Sequence, residues 1–252
     1  KQEEAIERAL QRILADPEFV FRKEAEPANV PSGKPYRISD VELASRLSFF
    51  LWSSIPDNEL LTLASQNKLR DPKTLDAQVK RMLADPKSQA FVKNFFGQWL
   101  QIRGLHGMSP EPKLFPDFDD NLRQAFEREA SLFFESIVHE DRNVLDLMTA
   151  DYTFVNERLA KHYGIPGVSG DTLVRVSVDP ERRGGLLGQA SVLTVTSNPT
   201  RTSPVKRGKW ILENLFAAPP PPPPPNVPDL KEGGGEKLTG TLRQRMEQHR
   251  AD

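Results

Sequence analysis

Apolar residues recur every three or four positions along the first two thirds of the chain, with polar residues and Asp-Pro pairs set between the runs. That spacing predicts helix after helix. Ala5, Ile6, Ala9, Leu10 and Ile13 make one stripe over Glu3–Ala15, and Asp16-Pro17 supplies an N-cap and a first-turn proline for a further turn to Phe21. Ser39-Asp40-Val41-Glu42 is a capping box opening a helix to Trp52, with Leu43, Leu47, Phe50 and Leu51 on its inward face. Asp71-Pro72 and Asp85-Pro86 repeat the Asp-Pro start. After the second, a 3.6-residue period places Phe91, Phe95, Phe96, Trp99 and Leu100 on one face. The longest helix is predicted over Asp119–His139, with Leu122, Phe126, Ala130, Phe133 and Ile137 inward. A short helix follows over Val155–Tyr163, stopped by Gly164 as a left-handed cap and by Pro166. The core is expected around Phe49, Trp52, Phe95, Trp99, Phe126, Phe133 and Leu159.

After Gly170 the pattern changes. Leu173–Val178 alternates and is β-branched, which predicts a strand. The apolar run Gly184–Val195 is too short for periodicity to settle; helix is expected over Gly185–Leu193, extended chain over Thr194–Thr200, and a Pro204-initiated helix to Phe216. Pro219–Pro225 is expected to form a polyproline II arm of roughly 20 Å, followed by a glycine joint at Gly233–Gly235 and a polar helix over Leu238–Arg250. The expected fold class is mainly α: an irregular multi-helix body with short strand pieces, near Leu173–Val178 and in the Phe21–Tyr36 connection, and an extended polyproline arm.

Composition narrows the setting. The 252 residues are 37% hydrophobic and 27% charged, ordinary values for a globular chain, and the net charge of −1 gives no electrostatic case for nucleic acid. No apolar stretch approaches the ~18–20 residues of a membrane span. The chain has no cysteine, which excludes disulfides, thiolate metal sites and covalent haem attachment within it.

Motifs for chemistry are sparse. His139-Glu140 lacks the second histidine of a zinc helix, and no metal site is predicted. Glu127, Glu129 and Glu135, interleaved with Arg123 and Arg128, suggest an ordinary charged helix face. Gly184-Gly185 lacks the rest of a phosphate-binding pattern, so its glycines suit a sharp turn or close packing. The strongest candidate is Thr194–Lys209, where Thr196, Ser197, Asn198, Thr200, Arg201, Thr202 and Ser203 crowd together and Arg201, Lys206, Arg207 and Lys209 add positive charge. Such a loop can hold a ligand's anionic group, a carboxylate of a neighbouring domain or a haem propionate by charge-assisted hydrogen bonds. It can also satisfy only itself, its hydroxyls and amides capping nearby turns. The candidate ligand- or interface-binding residues are Ser197, Asn198, Arg201, Ser203, Arg207 and His162, the last either a ligand or proton carrier or simply a partly buried histidine.

RGGLLGQASVLTVTSNPTRTSPVKRGKWILENL, followed by the proline run and NVP, resembles the third planctomycete cytochrome C domain. YRISDVELASRLSFFLWSSIPDNELL, FVKNFFGQWL and DYTFVNERLAKHYGIPGV resemble the fourth planctomycete-specific domain, and Lys1–Arg22 resembles the tail of the fifth. The resemblance implies a tail of a preceding helical domain at residues 1–30, a helical body at 36–170, and the N-terminal part of a cytochrome C-type domain with its arm at 171–252. It further implies a piece of a longer exported, extracytoplasmic multidomain protein, in which a C-x-x-C-H haem motif follows LRQRMEQHRAD. Haem c is expected in that full-length protein and no cofactor within this segment. The expected partners are neighbouring domains, among them a haem c domain, and a redox partner. The family carries no established reaction, so no catalytic residue is assigned and enzymatic activity is left open. Two functions remain: the non-haem body of an extracytoplasmic electron-transfer or oxidoreductase protein, or a structural or binding module of a surface assembly without chemistry. A pocket lined by Arg201, Asn198 and His162 would favour the first.

Overall fold

The computed structural model describes residues 2–21, 24, 29–31, 33–222, 241 and 244. Its helices run α1 (Gln2–Leu14), α2 (Pro17–Val20), α3 (Asp40–Trp52), α4 (Asn58–Ser65), α5 (Pro72–Ala84), α6 (Gln89–Phe91), α7 (Gly97–Trp99), α8 (Asp120–His139), α9 (Asp146–Thr149), α10 (Glu157–Tyr163), α11 (Pro180–Arg183), α12 (Ala190–Val195) and α13 (Pro204–Asn214). Among the described residues, strands form two short antiparallel pairs, β1 (Tyr152–Val155) with β2 (Val174–Ser177) and β3 (Ser197–Asn198) with β4 (Arg201–Thr202). The fold is mainly α and irregular, as the apolar spacing predicts. The described residues of the Phe21–Tyr36 connection contain no strand. Pro219–Pro222 are exposed and outside regular structure; the rest of the proline run, the glycine joint and nearly all of the predicted terminal helix lie outside the described residues.

The chain divides into two compact units, Lys1–Arg207 and Gly208–Asp252. In the second, the end of α13 closes with the Ala218 N–H bonded to the Leu212 carbonyl at 2.9 Å and Ala217 left-handed.

Caps begin the helices of the first unit where the polar residues predict. Ser39 and Glu42 form the full capping box of α3, Asp71 caps α5, Asp119 caps α8 and Asn156 caps α10, which ends on Gly164 at φ +71°. Asp57 caps α4 and also accepts both Arg81 terminal nitrogens, at 2.7 and 3.1 Å, so its carboxyl is held below the usual range chiefly by that guanidinium. One core cluster gathers Ala44, Leu51, Trp52, Leu60, Ala64, Leu69 and Met82 from α3 to α5, with the Trp52 indole N–H bonded to the Met82 carbonyl at 2.9 Å.

Two expectations about the core fail on the segment that follows Pro86. Val92–Phe96 is a π-helical turn, in which the Gly97 N–H reaches back five residues to the Val92 carbonyl. Val92, Phe96 and Leu100 are buried, whereas Phe95 is 41% exposed and Trp99 only partly buried. Phe91, Phe95 and Trp99 instead line an outer stripe with Phe50, itself 54% exposed: Phe91 stacks on Phe95 at 5.1 Å and Phe50 meets both edge-on. Phe49 is also only partly buried. The predicted stripe of α1 exists, but Ile6, Leu10 and Ile13 are exposed along it.

Helix α8 lies at the centre of the rest, against the π turn, β1, α10 and α12. Leu122, Phe126, Ala130, Phe133 and Ile137 are all buried, as their spacing requires. β1 was not expected; it takes only Val155 from the predicted Val155–Tyr163 helix, which begins at Glu157 behind the Asn156 cap. Pairing with β2 consumes its backbone hydrogen bonds, and the alternation of Tyr152, Thr153, Phe154 and Val155 suits a strand.

Candidate functional site

The Arg183–Gly188 corner sets the site's shape. Gly185 takes φ +56°, and a Cβ there would lie 2.5 Å from the Met148 carbonyl carbon and 2.6 Å from the Leu147 oxygen; its N–H bonds the Ala150 carbonyl at 2.9 Å. At Gly188 a Cβ would meet the Arg183 backbone at 2.6 Å. No other residue fits either position without backbone movement. This close packing seats Arg183 and the start of α12 against the end of α10.

A cavity of about 400 Å³ opens there, within the first compact unit. One side is the loop 108–118, with Met108, Leu114, Phe115, Asp117 and Phe118. Another is Phe126 of α8 with His162 and Tyr163 of α10. The third comprises Leu193, Thr194, Ser197, Asn198 and Arg201 of the α12–β4 segment, with Arg183 and Arg207. The Glu111 N–H donates to the Pro199 carbonyl at 2.9 Å and ties the first side to the third. Rings run continuously along the wall: Phe118 to Phe126 at 6.0 Å, Phe126 to His162 at 5.3 Å and His162 to Tyr163 at 5.7 Å, with the Arg183 guanidinium 3.7 Å over the Tyr163 ring.

Behind this wall is a buried acid. Glu129 has no exposed surface; its Oε1 accepts from the Thr153 hydroxyl and its Oε2 from the Tyr163 hydroxyl, both at 2.6 Å. The Tyr163 oxygen in turn accepts the Ala190 N–H at 2.8 Å. Burial outweighs these donors and raises Glu129 to about 7, while burial and the neighbouring carboxylate push the Tyr163 phenol well above its ordinary value. Glu129 is therefore not part of an ordinary charged face. Three residues after Phe126 and four before Phe133, it occupies the inward stripe of α8, and that spacing is the signal that identifies it.

The cations at the cavity are distinctive. Arg207 is half-buried; its Nε–H donates to the Thr196 hydroxyl at 3.2 Å, no carboxylate faces it among the described residues, and burial lowers its pKa. Arg183 donates to the Gly188 carbonyl at 3.3 Å and likewise has no carboxylate within ion-pair reach among the described residues. His162 is lowered by burial of its packed side, then by the charges of Arg183 and Arg158. The imidazole is thus neutral at neutral pH.

Of the six residues singled out by sequence, Ser197, Asn198, Arg201, Arg207 and His162 converge on this cavity from positions up to 45 apart in the chain. Asn198 and Arg201 face each other across the β3–β4 hairpin. Ser203 is occupied elsewhere: buried, it accepts the Lys206 N–H at 3.3 Å and caps α13. The Thr196 and Ser197 hydroxyls donate to the Val192 and Leu193 carbonyls at 2.6 and 2.7 Å, so part of the polar loop does satisfy itself. Sequence reasoning missed Tyr163, Arg183 and the whole 108–118 loop. Leu114, Phe115 and Phe118 set among Pro110, Pro112 and Pro116 form an apolar loop that a solvated connection does not need.

Residues 38–165, about half of the chain, match the family PSD4, described as a protein of unknown function (DUF1592). The chain belongs to that family. Residues 183–252 match PSCyt3, likewise described as a protein of unknown function (DUF1588). Neither the curated proteins nor the solved structures give a match. The PSD4 segment supplies Phe118, Phe126, His162 and Tyr163, and the PSCyt3 segment begins at Arg183 and supplies the hairpin and Arg207. The cavity is built from both.

Proposed function

We propose that this chain is the non-haem body of a larger extracytoplasmic c-type cytochrome protein, an electron-transfer or oxidoreductase component, and that its cavity anchors an anionic group. The observation carrying the second part is the half-buried Arg207 guanidinium, which among the described residues meets a hydroxyl and no carboxylate, at a cavity it shares with Arg183 and Arg201. Guanidinium groups in partly dry surroundings bind carboxylates through paired, charge-assisted hydrogen bonds. The order of the two family matches, and the cytochrome in the second family's name, support the setting.

The chain's own donors do not fit a covalently held haem. It has no cysteine to form the thioether links, and no group of three or more His, Cys, Asp or Glu among the described residues is placed to hold a metal ion. The haem is therefore proposed on a neighbouring domain of the same polypeptide, with a redox partner beyond it. What this body offers is a cationic rim suited to a propionate or to a ligand's carboxylate.

The alternative is a structural or binding module of a surface assembly, and the self-satisfied hydroxyls of Thr196 and Ser197 favour it. An absorption spectrum of the full-length protein, purified from an exporting host, separates the two. A c-type spectrum in the exported fraction is expected. A full-length protein without haem, or one retained in the cytoplasm, sinks the cytochrome setting.

A further inference from the structure

We infer that the cavity takes a small carboxylate with an apolar, ring-bearing body. This rests on the anion-anchoring part of the function proposed above and is independent of any haem.

Volume, lining and charge each narrow the ligand. About 400 Å³ lies within the range of small-molecule pockets. The wall from Phe118 through Phe126 and His162 to Tyr163 offers ring faces and edges along its length, suited to a flat apolar body. Among the described residues no acid lies within ion-pair reach of two of the cations at this cavity: Arg207 stands against a hydroxyl, and Arg183 against a ring and a backbone carbonyl. Three guanidinium groups, of Arg183, Arg201 and Arg207, line the cavity against the one acid Asp117, so the lining favours an anionic group. A phosphate dianion is disfavoured, because it is strongly hydrated and the mostly apolar walls replace little of that water. His162, lowered by burial and by Arg183, adds no further positive charge at neutral pH.

The test is calorimetric titration of the whole chain with phenylpropionate and naphthoate, against phenylpropionamide, acetate and inorganic phosphate. Both ring-bearing acids are expected to bind at least about tenfold more tightly than the amide, acetate or phosphate, since each control lacks either the charge or the body. Arg207→Gln should lose about tenfold in phenylpropionate affinity, and Arg207→Lys should recover part of it. Failure of Arg207→Gln to fold leaves the acid-to-amide ratio of the wild-type chain as the decisive number. Equal binding of acid and amide, phosphate binding as tightly as the ring-bearing acids, or no binding of either acid overturns the inference. A c-type spectrum in the full-length protein with no carboxylate binding would sink this inference and spare the cytochrome setting; carboxylate binding without haem would do the reverse.

Discussion

Tyr163 donates its phenolic hydrogen to the fully buried carboxyl of Glu129 at 2.6 Å while its ring lines the cavity. The phenol thus joins a desolvated acid in the core to the surface a ligand would touch. Raised from an ordinary 4.5 to about 7, Glu129 keeps a proton in the native state that the unfolded chain has already released. Stability contributed by this group is complete below pH 4.5, falls as pH rises toward 7 and is flat above. The fall is on the order of 3 kcal/mol at most. Glu129→Gln mimics the protonated acid, so it should remove that slope and be more stable than wild type at alkaline pH but not at acid pH. Urea denaturation across the range checks this; an unchanged slope in the variant would place the titration elsewhere.

The π turn gives a paired prediction. Phe96→Ala should cost about 3–5 kcal/mol, as for a fully buried aromatic, and Phe95→Ala no more than about 1 kcal/mol. Equal costs in denaturant melts would mean that Phe95 faces the core.

Gly185→Ala should destabilise by more than about 3 kcal/mol, because it combines a left-handed φ with a Cβ driven into the Met148 carbonyl. Thermal melting within 2 °C of wild type would show that the corner relaxes freely and does not seat Arg183.

His162 should titrate below an ordinary histidine by imidazole NMR, and Arg183→Gln should raise it, since removing that positive charge makes the imidazolium less unfavourable. An unaltered titration in the variant would separate Arg183 from the histidine.

Much of the fold was legible in the sequence because its helices start on local signals. The Ser39–Glu42 box, Asp71-Pro72, Asp119 and Gly164 each act within four residues of themselves, and α8 shows its inward stripe in plain 3.6-residue spacing. The π turn was not legible, since a hydrogen bond to the fifth residue leaves no mark in composition; nor was the choice between two neighbouring apolar stripes, of which Val92, Phe96 and Leu100 are buried and Phe95 and Trp99 face outward. β1 was hidden because its partner β2 lies some 20 residues further on. At the site, clustered polar residues marked the hairpin and Arg207. Tyr163, Arg183 and the 108–118 loop join them only through tertiary packing. Glu129 was visible in principle, but its charge invited a surface assignment that its position contradicts.

The most direct test of the central claim, that Arg207 and Arg183 hold an anion at this cavity, is an NMR titration of the arginine Nε–H groups with phenylpropionate. The account predicts that the Arg207 and Arg183 signals move together and saturate, while Arg142, already paired with Asp146 at 2.9 Å, stays in place. Saturable binding that leaves Arg207 and Arg183 unmoved, or shifts spread evenly over all arginines without saturation, would contradict it.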